Sequence, residues 1–204
     1  MPALVRRKKY VRKRRVIRKR RVKRIPRPLG RTTSVIRGAY FSTISSTASL
    51  ESYGAYSFKL SDLPNYTEFT SLFDQYKIAR VTLYFVQRNF TQNISTSVST
   101  PWFIYAIDKD DAVAPTAYSQ LLEYPGSRIT TMSRPHKVSF VPMIATDVYN
   151  GVSTAYSSAS RFVDCTYPGV PHYGFKYGFN FSTTAGVFSY DIFVKYRLLF
   201  RGVH

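Results

Sequence analysis

The chain has 204 residues, which is enough for one ordinary domain with a tail or at most two small domains. Its 30 basic and 11 acidic side chains give a net charge of +19, and no apolar run approaches the ~18 residues that a membrane helix requires. A single cysteine excludes an internal disulfide framework and is typical of a reducing compartment such as the cytosol or nucleus.

Basic residues are concentrated at the N-terminus. Residues 1–31 contain 16 Lys or Arg, 11 of them Arg, and the first acidic residue is Glu51. Like-charge repulsion at this density opposes any compact state, so the pattern predicts a disordered arm. Prolines and a glycine within 26–30 mark its end. We therefore predict an arginine-rich arm over residues 1–36 and a folded domain over residues 37–204.

The arm has the composition of a polyanion-binding segment. Neutralising phosphates releases condensed counterions, which makes binding steeply salt-dependent and nearly independent of sequence. Arginine also holds phosphate in a bidentate fork, and the same run satisfies the composition of a nuclear localisation signal. The residues predicted to serve both roles are Arg6, Arg7, Lys8, Lys9, Arg12, Lys13, Arg14, Arg15, Arg18, Lys19, Arg20, Arg21, Lys23, Arg24, Arg27 and Arg31.

Beyond the arm, apolar residues recur with a period of two, which indicates strands with one face in a core. Such segments lie at 35–44, 55–60, 78–86 and 136–141. Residues 102–107 are apolar throughout, as expected of a strand that is covered on both faces.

Helical spacing is found in one segment, 66–76, where Phe69, Leu72, Phe73 and Tyr76 are three or four residues apart. This spacing predicts a short helix between two strands.

The clearest strand signals lie near the C-terminus. Within 187–201, every even position from 188 to 200 is apolar, which predicts a long strand with one buried face. Residues 174–182 repeat the pattern with aromatic side chains on one face. The link at 183–186 predicts a hairpin between these two strands.

Seven or eight strands with almost no helix predict an all-β fold, either a two-sheet sandwich or a barrel. Three connections are long for a compact domain, at roughly 87–101, 108–127 and 142–161. Compact domains seldom keep such connections without a use for them.

Three segments resemble the capsid proteins of small circular single-stranded DNA viruses, the circovirus-like group. Residues 73–85 resemble the family's Phe-x-x-Tyr-x-Ile-x-x-Val stretch that enters an early strand, 134–142 resemble a central strand, and 190–200 resemble the late strand. The resemblance implies a single eight-stranded jelly-roll sandwich behind the basic arm. It also implies a T=1 icosahedral shell of about 60 identical subunits whose arms face inward.

The resemblance further implies a structural, non-enzymatic coat protein of the virion, which packages a single-stranded DNA genome through its arm. The expected partners are the genome, other copies of the chain, host nuclear import receptors and a cell-surface attachment factor. Assembly is expected in the host nucleus, no cofactor is expected, and the long connections would supply the outer surface and the subunit contacts.

A cellular RNA-binding protein of ribosomal type is the alternative interpretation, because such proteins also combine a basic extension with a compact β domain. They are expected to spread basic residues over the folded surface. Here the chain beyond residue 50 holds 13 basic and 11 acidic residues, which is close to neutral. The charge distribution therefore favours the coat protein.

Chemical sites in the folded domain have weak sequence support. Asp108, Asp110 and Asp111 could ligate a divalent metal, but an acidic turn at the end of strand 102–107 is the favoured interpretation. A nucleic-acid enzyme would require an acid–base or metal cluster, and no such grouping is evident in the sequence.

A second nucleic-acid surface is conceivable on the folded domain, where exposed aromatic rings could stack on bases beside basic side chains. The candidate basic residues are Lys176, Lys195, Arg197 and Arg201. Strict alternation instead favours aromatic side chains in the core and these four charges in solvent.

Overall fold

The computed structural model describes residues 32–47, 50–88, 100–149, 154–181 and 188–203. Within these ranges the chain is built from strands, two short helices and one 3-10 turn at Leu60–Asp62. The strands are β1 (Thr33–Ser45), β2 (Ser52–Phe58), β3 (Gln75–Gln87), β4 (Trp102–Ala106), β5 (Arg128–Thr131), β6 (His136–Phe140), β7 (Ile144–Tyr149), β8 (Thr154–Ala159), β9 (Val163–Asp164), β10 (His172–Phe179) and β11 (Ser189–Arg201). The helices are α1 (Tyr66–Thr70) and α2 (Tyr118–Leu122).

The strands form two main antiparallel sheets. The first sheet has the order β1-β11-β3-β6, with β9 paired to β3, and the second has the order β2-β10-β4-β5. Most consecutive strands lie in different sheets, which is the jelly-roll arrangement. The all-β jelly-roll prediction is therefore confirmed. Within the described residues, strands β7 and β8 form a separate two-stranded sheet.

Aromatic side chains fill the space between the two sheets. Phe85 of the first sheet lies 5.2 Å from Phe103 and 5.6 Å from Phe175 of the second sheet, measured between ring centroids. Tyr190 packs edge-on against both Phe85 and Phe103. Aromatic pairs in such geometries stabilise by about 0.5–1.5 kcal/mol beyond the area they bury, so these contacts fix the two sheets against each other.

The late strand follows its sequence pattern. Even positions of β11 from Tyr190 to Phe200 are buried, and the odd positions face away from the core. In β3 the alternation holds for Val81, Leu83 and Phe85, but the register with β11 shifts between Arg197 and Leu198. Strict alternation over 78–86 would place Ala79 with these three residues, but the irregularity brings Ile78 into the core instead.

Strand β4 is covered on both faces, as its apolar sequence predicts, and β10, for which one buried face was predicted, is also covered on both faces. One face meets the first sheet, and the other is covered by α2, whose Leu121 packs with Ile104 and Ala106. Gly178 lies opposite Tyr53, and Gly54 lies opposite Tyr177. In each pair the tyrosine ring lies directly over the glycine.

Two local predictions were wrong. The predicted helix at 66–76 ends after five residues, because Gln75 and Tyr76 already belong to β3 and Tyr76 is fully buried there. The turn of the predicted hairpin, at 183–186, lies outside the described residues, but the two strands on either side of it are described. Those strands, β10 and β11, belong to different sheets and do not pair with each other.

Two of the long connections contain regular structure. Residues 108–127 include α2, and residues 142–161 include the β7–β8 pair. The third, 87–101, lies mostly outside the described residues.

The arm predicted over residues 1–36 also lies outside the described residues up to position 31, and β1 begins at Thr33 and pairs with β11 from there. In the described part of the chain, no helix is long and apolar enough to cross a membrane.

We predict that Gly178→Ala destabilises the fold by about 1–3 kcal/mol, because an added Cβ would lie 2.5 Å from a ring carbon of Tyr53 and overpack the site. Gly169→Ala is the matched control, since nothing lies within 4 Å of the Cβ that it adds. Urea unfolding monitored by circular dichroism measures both. Equal unfolding free energies for the two variants would contradict the packing argument.

Candidate nucleic-acid interface

The outward face of the first sheet carries six of the fourteen basic residues that follow the arm. Strand β11 has its even positions in the core, so Phe193, Lys195, Arg197 and Arg201 project to the opposite side. Neighbouring strands add outward residues in register with them. The basic residues of this face, which we call the basic face, are Lys77, Arg80, Lys137, Lys195, Arg197 and Arg201.

The centre of the basic face carries like charges without counterions. Arg80 lies directly opposite Arg197 on the neighbouring strand, and Lys195 is two residues further along β11. Among the described residues, none of these three cations lies within ion-pair distance of a carboxylate. Like charges directly opposite each other in a sheet are destabilising, so the face is suited to a polyanion.

The cations at the two ends of the basic face have partners: an ion pair at one end, and an aromatic ring and a hydrogen bond at the other. Asp191 lies 3.7 Å from the Arg88 guanidinium and accepts a hydrogen bond of 2.6 Å from Thr43. At the opposite end, the Arg201 guanidinium lies 4.2 Å from the centre of the Phe162 ring. Its Nε also donates a hydrogen bond of 2.6 Å to the side chain of Gln75. The cations without a partner are thus confined to the middle of the face.

An open groove of about 410 Å³ adjoins these cations. It is lined by Gly38, Tyr40, Tyr84, Phe193 and Lys195, together with two backbone neighbours. The aromatic side chains belong to strands whose other aromatic residues are buried in the core. The groove therefore combines aromatic rings and positive charge on one exposed surface.

The sixteen predicted arm residues between Arg6 and Arg31 lie outside the described residues. Of the four basic residues considered for a second surface, Lys195, Arg197 and Arg201 lie together on the basic face. The prediction that Lys176 is solvated was wrong, because this side chain belongs to the second sheet and is only 5% exposed.

Lys176 neutralises the acidic turn that follows β4. Its Nζ donates hydrogen bonds of 2.6 Å to Asp108 and 2.7 Å to Asp111, and the Tyr124 hydroxyl donates one of 2.8 Å to Asp108. Burial acts to raise the pKa of Asp108, but these donors and the Asp110 amide hold that pKa below its usual value. The favoured interpretation of the three aspartates as a structural turn fits these contacts, since the two that face Lys176 are occupied by it.

Other chemically active side chains are held in unreactive states. Burial lowers the pKa of His172 to about 4, so the ring is neutral, and its Nδ1 donates to the Val170 carbonyl at 3.0 Å. Burial raises the pKa of the Cys165 thiol to about 11, which keeps it protonated at neutral pH. Within the described ranges, no group of three or more His, Cys, Asp or Glu side chains is arranged to hold a metal ion.

The family described as Circovirus capsid protein has a sequence model that matches residues 3–204 of this chain. No curated protein sequence matches the chain.

Solved structures with a similar fold are viral coat proteins. The BFDV capsid protein in a 60-mer crystal structure has a TM-score of 0.67 and 14% identity, with 85% of this chain and 95% of that chain covered. A decameric form of the BFDV protein has a TM-score of 0.58 and 14% identity, with coverages of 84% and 99%. The chain in the giant freshwater prawn (Macrobrachium rosenbergii) nodavirus particle has a TM-score of 0.54 and 12% identity, with 88% of this chain and 97% of that chain covered. At these identities the likeness shows a shared fold.

We predict that Lys176→Met destabilises the fold by about 3 kcal/mol at neutral pH, because it leaves Asp108 buried without a counterion. The loss should shrink as the pH falls toward about 4 and below it. In the native protein the lowered pKa of Asp108 contributes stability that is lost as the carboxylate protonates, whereas in the variant protonation relieves an unpaired charge.

Urea unfolding over a pH series measures this difference. Lys195→Met is the control, since its ammonium is exposed and unpaired among the described residues, and it should change the unfolding free energy by less than about 0.5 kcal/mol. If Lys176→Met unfolds at the same urea concentration as the native chain at neutral pH, the buried pair does not have the proposed role.

We predict that Arg197→Gln stabilises the DNA-free protein by about 0.2–1 kcal/mol at low salt, because it removes one member of the like-charged pair with Arg80. Added salt should reduce the gain by screening. Arg201→Gln is the matched control and should not stabilise, since Arg201 already contacts Phe162 and Gln75. Thermal unfolding at two salt concentrations distinguishes the variants, and a lower midpoint for Arg197→Gln would contradict the charge argument.

Proposed function

Because the chain belongs to the circovirus capsid protein family, we propose that it encloses a single-stranded DNA genome in a closed icosahedral shell of about 60 copies, the number named for the BFDV particle. Family membership assigns the chain a structural role as a capsid protein. The observation that carries the packaging proposal is the cluster of cations without counterions on the basic face, adjoining the strand that follows the arm.

The arm is the main genome-binding element in this proposal. Its 16 basic residues within 31 positions would each displace a condensed counterion from DNA, which gives affinity that falls steeply with salt. Such binding is nearly blind to sequence, and this suits a protein that must hold an entire genome. The contacts between subunits, and not the arm, would then determine the geometry of the shell.

The charge distribution of the folded domain supports one orientation of the subunit in the shell. Arg80, Lys195 and Arg197 lie on the outward face of the first sheet. Asp108 and Asp111 belong to the connection that covers the outward face of the second sheet through α2. We therefore orient the basic face toward the genome and the second sheet, where Lys176 neutralises Asp108 and Asp111, toward the exterior, where an attachment factor on the host cell would meet it.

The charge of the arms agrees with a genome of small size. About 60 arms of 16 charges each carry roughly 1,000 positive charges, and single-stranded DNA has one phosphate per nucleotide. Arms alone would neutralise a strand on the order of one to two thousand nucleotides, with other cations covering the remainder. Before assembly the arms repel one another, so DNA should promote assembly by screening them.

The arm also serves as the nuclear localisation signal in this proposal. Clusters such as Arg12–Arg15 and Arg18–Arg21 have the Lys/Arg density that import receptors recognise. Import of the free subunit would precede packaging in the host nucleus, because an arm bound to phosphates is no longer available to a receptor.

We predict that deleting residues 1–31 abolishes tight, salt-sensitive DNA binding and leaves the β domain folded, since β1 begins only at Thr33. Fluorescence anisotropy with labelled single-stranded DNA across a salt series measures the binding, and circular dichroism measures the fold.

A variant with the arm residues in shuffled order is the control for composition. It should bind DNA as tightly as the native chain, because counterion release depends on charge and not on sequence. Undiminished binding by the truncated protein at physiological salt would exclude the arm as the main genome-binding element.

A further inference from the structure

Two exposed aromatic rings, Tyr40 and Phe193, and the partly buried ring of Tyr84 lie in one row across the first sheet. Tyr40 of β1 is opposite Phe193 of β11, Phe193 is opposite Tyr84 of β3, and Tyr84 is opposite Lys137 of β6. Neighbouring strands are about 4.8 Å apart, and the Tyr40 and Phe193 ring centroids are separated by 5.8 Å. We call Tyr40, Phe193 and Tyr84 the aromatic row.

Two rings of the aromatic row are exposed, whereas rings on the other face of the sheet are buried. Tyr40 is 58% exposed and Phe193 is 41% exposed, Tyr84 is partly buried, and Phe85 and Tyr190 on the core face of the same sheet are fully buried. Leaving rings of this size in solvent forgoes the stabilisation that burial would give. Large rings left on a surface beside one another are a mark of a binding site.

The row next to the rings is cationic. Two residues further along β11, Lys195 lies between Gly38 of β1 and Thr82 of β3, and the Arg80–Arg197 pair follows. Gly38 has no side chain, so it leaves the groove open beside the Lys195 ammonium. The Lys137 ammonium lies 5.3 Å from the centre of the Tyr84 ring. The rings are therefore bordered by Lys195 along β11 and by Lys137 at the β6 end of the row, while Asp191, paired with Arg88, lies on the remaining side.

We propose that the aromatic row is a base-stacking site for single-stranded DNA on the shell domain, with the adjacent cations holding the phosphates. This inference rests on the proposed genome-packaging function and adds to it a preference for unpaired bases. A polycationic arm binds duplex and single strands alike. Rings that stack on bases favour the single strand, because the bases of a duplex already stack on one another.

Charge argues against a second copy of the same face as the occupant of this site. An isologous contact would bring Arg80, Lys195 and Arg197 of two subunits against each other without counterions. DNA supplies phosphates for these cations and π faces for the rings. The strand that follows the arm, β1, also contributes Tyr40, so the row and the arm belong to one continuous segment of the chain.

The test compares single-stranded and duplex DNA of equal length in the full chain. In the double variant Tyr40→Leu/Phe193→Leu, the rings are lost while apolar bulk is kept. We expect affinity for labelled oligothymidylate to fall at least about tenfold, since stacking on a ring contributes roughly 1–3 kcal/mol per base. Duplex affinity and the salt dependence of binding should stay unchanged, because no cation is removed.

Two further variants control for side-chain loss on this face. Val86→Ala truncates another exposed apolar residue of β3 outside the aromatic row and should leave both affinities unchanged. Phe193→Trp keeps a ring in the row and should preserve the preference for the single strand. Lys195→Gln should weaken binding to both kinds of DNA and reduce the salt dependence.

The outcomes separate this inference from the packaging proposal. If the double variant keeps the native ratio of single-strand to duplex affinity while arm deletion abolishes binding, the stacking site is wrong and packaging by the arm stands. If the native chain binds neither DNA, the packaging proposal itself fails. If the double variant loses particle assembly but keeps the affinity ratio, the row is a subunit contact and the inference is overturned.

Discussion

The organisation of this protein depends on positive charge that the chain itself does not neutralise. Where a cation is buried, as at Lys176, the fold supplies Asp108 and Asp111 within hydrogen-bond distance. On the basic face, Arg80 and Arg197 are brought directly opposite each other with no carboxylate near them among the described residues. This contrast between a closely paired buried cation and an unpaired surface cluster is the basis on which we propose an external polyanion as the partner of the basic face.

The jelly roll makes this separation of charge possible. Because most consecutive strands lie in different sheets, the two sheets pack face to face. Each sheet has one face in a common aromatic core and one face that points away from it. The free face of the second sheet is covered by α2 and its acidic connection. Among the described residues, the free face of the first sheet is uncovered and basic, and the strand that continues from the arm lies at its edge. One domain thereby gains two chemically different surfaces.

Local periodicity predicted most strands and their buried faces. It failed where tertiary contacts determine which strands pair and which side chains are buried. The alternation from Tyr190 to Phe200 identified β11 and its buried face, because strand side chains alternate strictly. The predicted hairpin at 183–186 was wrong because sequence proximity does not reveal that the flanking strands enter different sheets. Lys176 looked solvated because its acidic partners are more than sixty positions away in sequence.

The sequence places the rings of the aromatic row on the same strand faces as basic residues, but alternation within each strand does not show that the rings are neighbours. Phe193 occupies an odd position of β11, on the side of Lys195 and Arg197, and Tyr84 shares a face with Arg80. Only the register shows that these rings and Tyr40 lie side by side across three strands.

Electron cryomicroscopy of particles assembled from the full chain on single-stranded DNA tests the account most directly. We predict nucleic-acid density inside the shell against Arg80, Lys195 and Arg197 of the first sheet. A shell in which this face points outward, or is buried between subunits without DNA, would contradict the central claim.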